Sequence, residues 1–98
     1  MAFSLLLDSR AIGDIQDAID YYQDKEPGLG IRFENEFNDC LMTLIENPHF
    51  QIRYDNIRCL PMKNFPYMIH YTVNDEKKMI IVRSLLNTLR NPENWGKF

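Results

Sequence analysis

Four cations, Arg58, Lys63, Arg83 and Arg90, fall in the second half of a 98-residue chain, interleaved with Tyr54, Tyr67, His70, Tyr71 and Trp95. Guanidinium and ammonium groups set among flat rings hold a phosphate backbone and stack bases. Arginine also stabilises charge developing on a phosphoryl group, and His or Tyr can move a proton during RNA cleavage. Used as a nuclease, the chain would draw on Arg58, Lys63, Arg83, Arg90, His70 and Tyr71. Used for docking, it would present Phe50, Tyr54, Tyr67 and Trp95 to a partner. The plainer alternative leaves the arginines solvated or paired with neighbouring acids, with Tyr67 and Tyr71 in the core or at its rim.

Other chemistry finds little support. Neither G-x-x-x-x-G-K nor G-x-G-x-x-G occurs, so no phosphate-cradling loop is expected. His49 and His70 lack C-x-x-C or H-E-x-x-H neighbours, and neither a metal nor another cofactor is expected. The acids of the first helix, Asp14, Asp17, Asp20 and Asp24, read as a solvated face and not as general acids. Cys40 and Cys59 lie far apart, which favours two reduced thiols over a disulfide.

Charge divides the chain. Residues 1–49 carry three basic and ten acidic residues, a net −7, and residues 50–98 carry eight basic and four acidic, a net +4. Such a split suggests two faces with different partners. The apolar start, Phe3 to Leu7, has no basic flank and is cut short by Asp8, and no stretch is long enough to span a bilayer, so a cytoplasmic location without membrane partner is expected. A chain of this length forms one domain, residues 1–98, with a modest core and no room for a deep small-molecule cavity.

The elements that must position these side chains follow from periodicity. Phe3 to Leu7 is too short for a helix and reads as a strand, after which Asp8 and Ser9 offer a helix N-cap. Ala11, Ile15, Ala18, Ile19 and Tyr22 recur at helical steps until Pro27-Gly28 turns the chain. Leu29, Phe33, Phe37, Leu41, Leu44 and Ile45 line a second helix, which Asn47-Pro48 stops, with Asn47 suited to a left-handed end position. The period then changes. Ile57 to Met62, Tyr67 to Val73 and Lys78 to Leu85 read as strands joined by tight connections, an antiparallel meander. The order β-α-α-β-β-β predicts an α+β fold in which a helical hairpin packs on one face of an antiparallel sheet. The other face stays open or meets the tail and a partner.

The string carries a family resemblance. Asp20-Tyr21-Tyr22, Leu29-Gly30-Ile31-Arg32-Phe33, Ile45-Glu46-Asn47-Pro48, Asn56-Ile57-Arg58 with Phe65-Pro66-Tyr67-Met68-Ile69-His70-Tyr71, and Arg90-Asn91-Pro92-Glu93-Asn94-Trp95 stand in the order of the landmarks of RelE/ParE toxins. The chain resembles that superfamily over nearly its whole length, and its FPY strand is more similar to the ParE-like side. The resemblance implies the toxin of a type II toxin–antitoxin pair, neutralised by a cognate antitoxin encoded beside it. It also implies one of two targets: DNA gyrase, bound and poisoned, or messenger RNA, cleaved on the ribosome. Met68 stands where many cleaving members have Arg, and Asn87 where many have His; an Asn cannot carry a proton at neutral pH. The reading therefore favours a binding poison over an enzyme. The ribosome-dependent endonuclease, and a degenerate member that binds an antitoxin without harming the cell, stay open as alternatives.

Overall fold

A computed structural model describes residues 3–50 and 52–89, and of Arg53 and Tyr54 the backbone. Strand β1 (Ser4–Leu7) leads into helix α1 (Ser9–Lys25) and helix α2 (Leu29–Glu46). Strands β2 (Ile52–Tyr54), β3 (Ile57–Pro61), β4 (Tyr67–Asn74) and β5 (Met79–Asn87) follow. They form a five-stranded sheet in the order β1-β5-β4-β3-β2.

The expected α+β arrangement holds, with two differences. β1 runs parallel to β5, from Ser4 opposite Met79 to Leu7 opposite Val82, so the sheet is mixed and not purely antiparallel. The helical hairpin carries the chain back across the sheet, and that crossover makes a parallel edge possible. The second difference is β2, an edge strand that pairs antiparallel with β3 around a turn in which Asp55 takes a φ of 47°. The meander of β3, β4 and β5 is antiparallel as expected.

Helix α1 buries Ala11, Ala18 and Tyr22, and α2 buries Gly30, Phe33, Phe37 and Leu44. These stripes close on Ile69, Tyr71, Ile80, Val82 and Leu85 of the sheet and on Met62 just past β3. Complete burial of each large apolar side chain contributes roughly 1.5–3 kcal/mol.

The hairpin turn rests on close approach. Gly28 has a φ of +92°, open to glycine at little cost. Gln23 Oε1 accepts from the amides of Gly28 and Gly30 at 3.1 and 3.3 Å. A Cβ on Gly30 would sit 2.7 Å from the carbonyl oxygen of Ile19, so α1 and α2 touch backbone to backbone there.

Both predicted helix signals work differently in detail. Asp8 occupies the N-cap position of α1 but makes no capping hydrogen bond with its side chain, because its carboxylate faces Arg83 instead. Asn47 ends α2 with φ −149°, not in the left-handed region, since Pro48 forces the residue before it towards extended geometry.

Strand β4 is buried continuously from Met68 to Thr72, as a central strand covered on both faces must be. β5 alternates in burial until Ser84 and Leu85, which are both buried. A β-bulge breaks the alternation there. Ser84 pairs with His70 and Val82 with Tyr71, leaving Arg83 as the extra residue.

Candidate functional site

The sheet separates the two central arginines. Arg58 pairs with Tyr71, and Tyr71 belongs to the face packed on the helices. From that side Arg58 Nη1 donates to the carbonyl of Phe50, while the Tyr71 hydroxyl donates to the carbonyl of Pro48 at 2.7 Å. Both side chains therefore bind the segment linking α2 to β2 onto the sheet. Burial holds the Tyr71 phenol up at about 12, against the smaller opposing influences of a hydrogen bond and the Arg58 charge.

Arg83 lies on the opposite face. Its Nε donates to Thr72 Oγ1 at 3.2 Å, and its Nη1 lies 3.5 Å from Asp8 Oδ2. Half-exposed, it lines a groove of about 400 Å³ with Asp8, Arg10, Asn56, Ile57 and Thr72. A neighbouring hollow of about 380 Å³ continues past Arg83 towards Asn74, Asp75 and Glu76. This concavity offers two guanidinium groups, an amide and a hydroxyl beside an apolar Ile57, with carboxylates at its rim. Such a mixed lining suits the side chains of a protein partner better than an unbroken run of phosphates.

The same face is only partly open. Cys59, His70 and Ser84 form a row in register across β3, β4 and β5, and all three are buried, as is Met68 beside them. His70 is wholly inaccessible at 0% exposure, which places it away from any proton transfer at the surface of this conformation. Tyr71, also at 0%, is committed to Pro48.

The remaining candidates scatter. Lys63 lies in the β3–β4 connection, where its amide and that of Asn64 donate to Glu36 Oε2 at 2.9 and 3.0 Å. Phe50 packs partly buried against the core. Tyr67 joins Tyr22, Phe33 and Phe65 in an aromatic cluster; the Tyr22 and Phe65 centroids lie 4.8 Å apart and those of Phe33 and Tyr67 5.4 Å apart. Tyr67 thus sits at the rim of the core. Arg90, Trp95 and the side chain of Tyr54 lie outside the described residues.

Two acidic residues have roles that the sequence reading did not assign. Glu36 takes both loop amides and the Asn64 side-chain amide at 2.7 Å, fixing the approach to β4. Asp14 is not part of a solvated face. Its Oδ2 accepts from the backbone amide of Leu85 at 3.0 Å, and burial pushes its carboxyl above the ordinary range against the opposing pull of that hydrogen bond and of Arg10. The signal was available: Asp14 stands three residues after Ala11 and four before Ala18, on the buried stripe itself.

A helical hairpin packed on a mixed sheet, with a polar groove around Arg83, defines a small α+β protein. The chain belongs to the family described as ParE toxin of type II toxin-antitoxin system, parDE, whose model matches residues 5–91. A search of curated protein sequences returned no match.

Solved structures agree on the fold. The chain is similar to one from the chromosomal ParDE toxin–antitoxin system of P. aeruginosa, with a TM-score of 0.76 at 16% identity over 87% of this chain and 95% of that one. It is also similar to a chain of the intact E. coli RelBE toxin–antitoxin complex, with a TM-score of 0.66 at 22% identity over 86% and 94% of the two chains. The isolated E. coli RelE toxin superposes with a TM-score of 0.67 at 20% identity over 94% and 90%.

Proposed function

We propose that this toxin arrests growth in the cytoplasm by binding a macromolecular target, DNA gyrase being the one its ParE character implies, and that a cognate antitoxin encoded beside it neutralises it. The observation that carries a binding mode is the separation of the cleavage candidates. Arg58 and Arg83 occupy opposite faces of the sheet, while His70 and Tyr71 are buried. General acid–base catalysis needs a titrating group within hydrogen-bond reach of the reacting atom, beside the cation that stabilises the charge. The groove around Arg83 is the face we assign to the target.

The test is induction of the chain alone, with growth, nucleoid morphology and reporter translation followed together. Filamentous cells with a DNA-damage response and continuing translation are expected. Codon-phased cuts in messenger RNA on purified ribosomes would overturn the reading in favour of the endonuclease. Unimpaired growth at normal soluble levels would overturn any toxic role.

A further inference from the structure

We propose that Asp14 is a positioning residue for Arg83, acting through the backbone: by accepting the Leu85 amide it locks the β-bulge in β5 from which Arg83 projects. The inference rests on the reading of the Arg83 groove as the target face only for its effect on toxicity. The strand register is a separate matter.

The bulge is held from both sides. The β1–β5 ladder ends with Leu7 opposite Val82, and the Asp8 amide donates to the Val82 carbonyl at 2.9 Å. Beyond that point β5 has no β1 residue beside it, and the Asp14 carboxylate takes the next backbone group, the Leu85 amide, at 3.0 Å. Arg83 and Ser84 lie between these two bonds. Across the sheet the same interval is where the pairing jumps from His70–Ser84 to Tyr71–Val82.

Side-chain hydrophobicity specifies this register only in part. An unbulged β5 continuing from Ile80 and Val82 would send Ser84 and Leu86 to the helices and Leu85 to the other face. In the observed register Leu85 is 3% exposed and fills that place, with Ser84 opposite His70. Each register brings one leucine to the helix face, Leu85 opposite Ile69 as observed, or Leu86 opposite Tyr67 with Ser84 in the place of Leu85, and a strand whose alternation allows both is prone to slip. The Asp14 acceptor adds to that preference. It meets the amide only when the extra residue has been inserted before it. That insertion also spaces Arg83 from Ser84 and sets its Nε beside Thr72, within reach of Asp8.

The experiment compares the full-length chain with Asp14→Asn, which keeps an acceptor oxygen, and Asp14→Leu, which removes it. Where Asp14→Leu does not fold, Asp14→Ser replaces it, being polar but too short to reach the amide. Nuclear Overhauser contacts between β4 and β5 report the register, and amide exchange reports the Leu85 bond. In the unaltered chain and in Asp14→Asn, the contacts of the pairs His70–Ser84 and Ile69–Leu85 are expected, with a protected Leu85 amide. In Asp14→Leu or Asp14→Ser, exchange at Leu85 is expected to rise about tenfold or more while the helices keep their protection, with β5 losing those contacts beyond Val82. Unchanged contacts and exchange in the variant without an acceptor would overturn the proposal, as would equal loss in Asp14→Asn. Growth arrest is read in parallel: Asp14→Leu should resemble Arg83→Ala, and Asp14→Asn should resemble the unaltered chain. If Arg83→Ala leaves arrest intact, the target-face reading fails, and the strand contacts still decide the role of Asp14.

Discussion

The hydroxyl of Tyr71, in the central strand, donates to the carbonyl of Pro48 at 2.7 Å, and both residues are buried. One bond thereby joins two landmarks that are 23 residues apart in the chain, the Asn-Pro stop of α2 and the second tyrosine of the FPY strand. The carbonyl it satisfies belongs to irregular backbone just past a helix end, where no ladder partner exists. Tyr71→Phe should keep the ring and its packing and lose about 1–2 kcal/mol of stability. The urea midpoint should fall with the slope unchanged. A midpoint equal to that of the unaltered chain would show that this carbonyl does not depend on Tyr71.

The contact between the helices gives a sharper expectation. Gly30→Ala gains up to about 1 kcal/mol of helix propensity. It also drives a Cβ to 2.7 Å from the Ile19 carbonyl, on backbone that cannot rotate away. Overpacking of this kind typically costs about 1–3 kcal/mol, so the variant should be less stable. Thermal unfolding checks the sign, and a raised Tm would mean that the two helices can move apart freely.

Much of this was legible in the residues. The apolar steps of Ala11, Ala18 and Tyr22 and of Phe33, Phe37 and Leu44 placed both helices, because a helix buries one stripe and these residues define it. The Tyr-Tyr, Leu-Gly-x-Arg-Phe and Phe-Pro-Tyr fragments prove to be three walls of one aromatic cluster: Tyr22, Phe33, Phe65 and Tyr67. What escaped depends on pairing. A four-residue apolar run such as Ser4–Leu7 does not encode whether its neighbour runs parallel or antiparallel. Three residues of β2 carry too little pattern to mark a strand. The faces of Arg58 and Arg83 depend on register and on a bulge, neither of which leaves a mark in alternation read one strand at a time. Asp14 was misread because its charge was weighed and its position on the buried stripe was not.

Among the groups whose pKa burial raises, Asp14 at the acid end and Tyr71 at the alkaline end are each tied to a named hydrogen bond, and in both cases the sign is the same. Burial lifts Asp14 above the ordinary carboxyl value of 3.8, so the unfolded chain releases this proton at lower pH than the folded one. Its contribution is greatest below 3.8 and declines as pH rises through the folded pKa. Tyr71 behaves likewise at the alkaline end, where its contribution is lost as pH climbs from the ordinary phenol value of 10.0 to about 12. Unfolding free energies measured across these ranges should therefore show a downward slope that Asp14→Asn reduces at the acid end and Tyr71→Phe reduces at the alkaline end, where Tyr22 and Cys40, also raised by burial, contribute with the same sign. A slope left unchanged by the matching substitution would assign it to other groups.

The two arginines provide the test that separates scaffold from surface. Arg58 spends its guanidinium on the Phe50 carbonyl behind the sheet, so Arg58→Ala should lower stability by about 1–3 kcal/mol, and any loss of growth arrest should track the loss of folded protein. Arg83 is half-exposed in its groove, with one partner hydroxyl and a half-exposed ion pair to Asp8 at 3.5 Å. Arg83→Ala should leave the unfolding midpoint within the small range of surface substitutions, about 0.5 kcal/mol, while growth arrest weakens at equal soluble level. Measuring stability and arrest for both variants side by side makes the assignment decidable, because a nuclease using both cations would lose activity in both without regard to folding. A binding poison that meets its target through the Arg83 face loses it in one for want of contact and in the other only for want of structure.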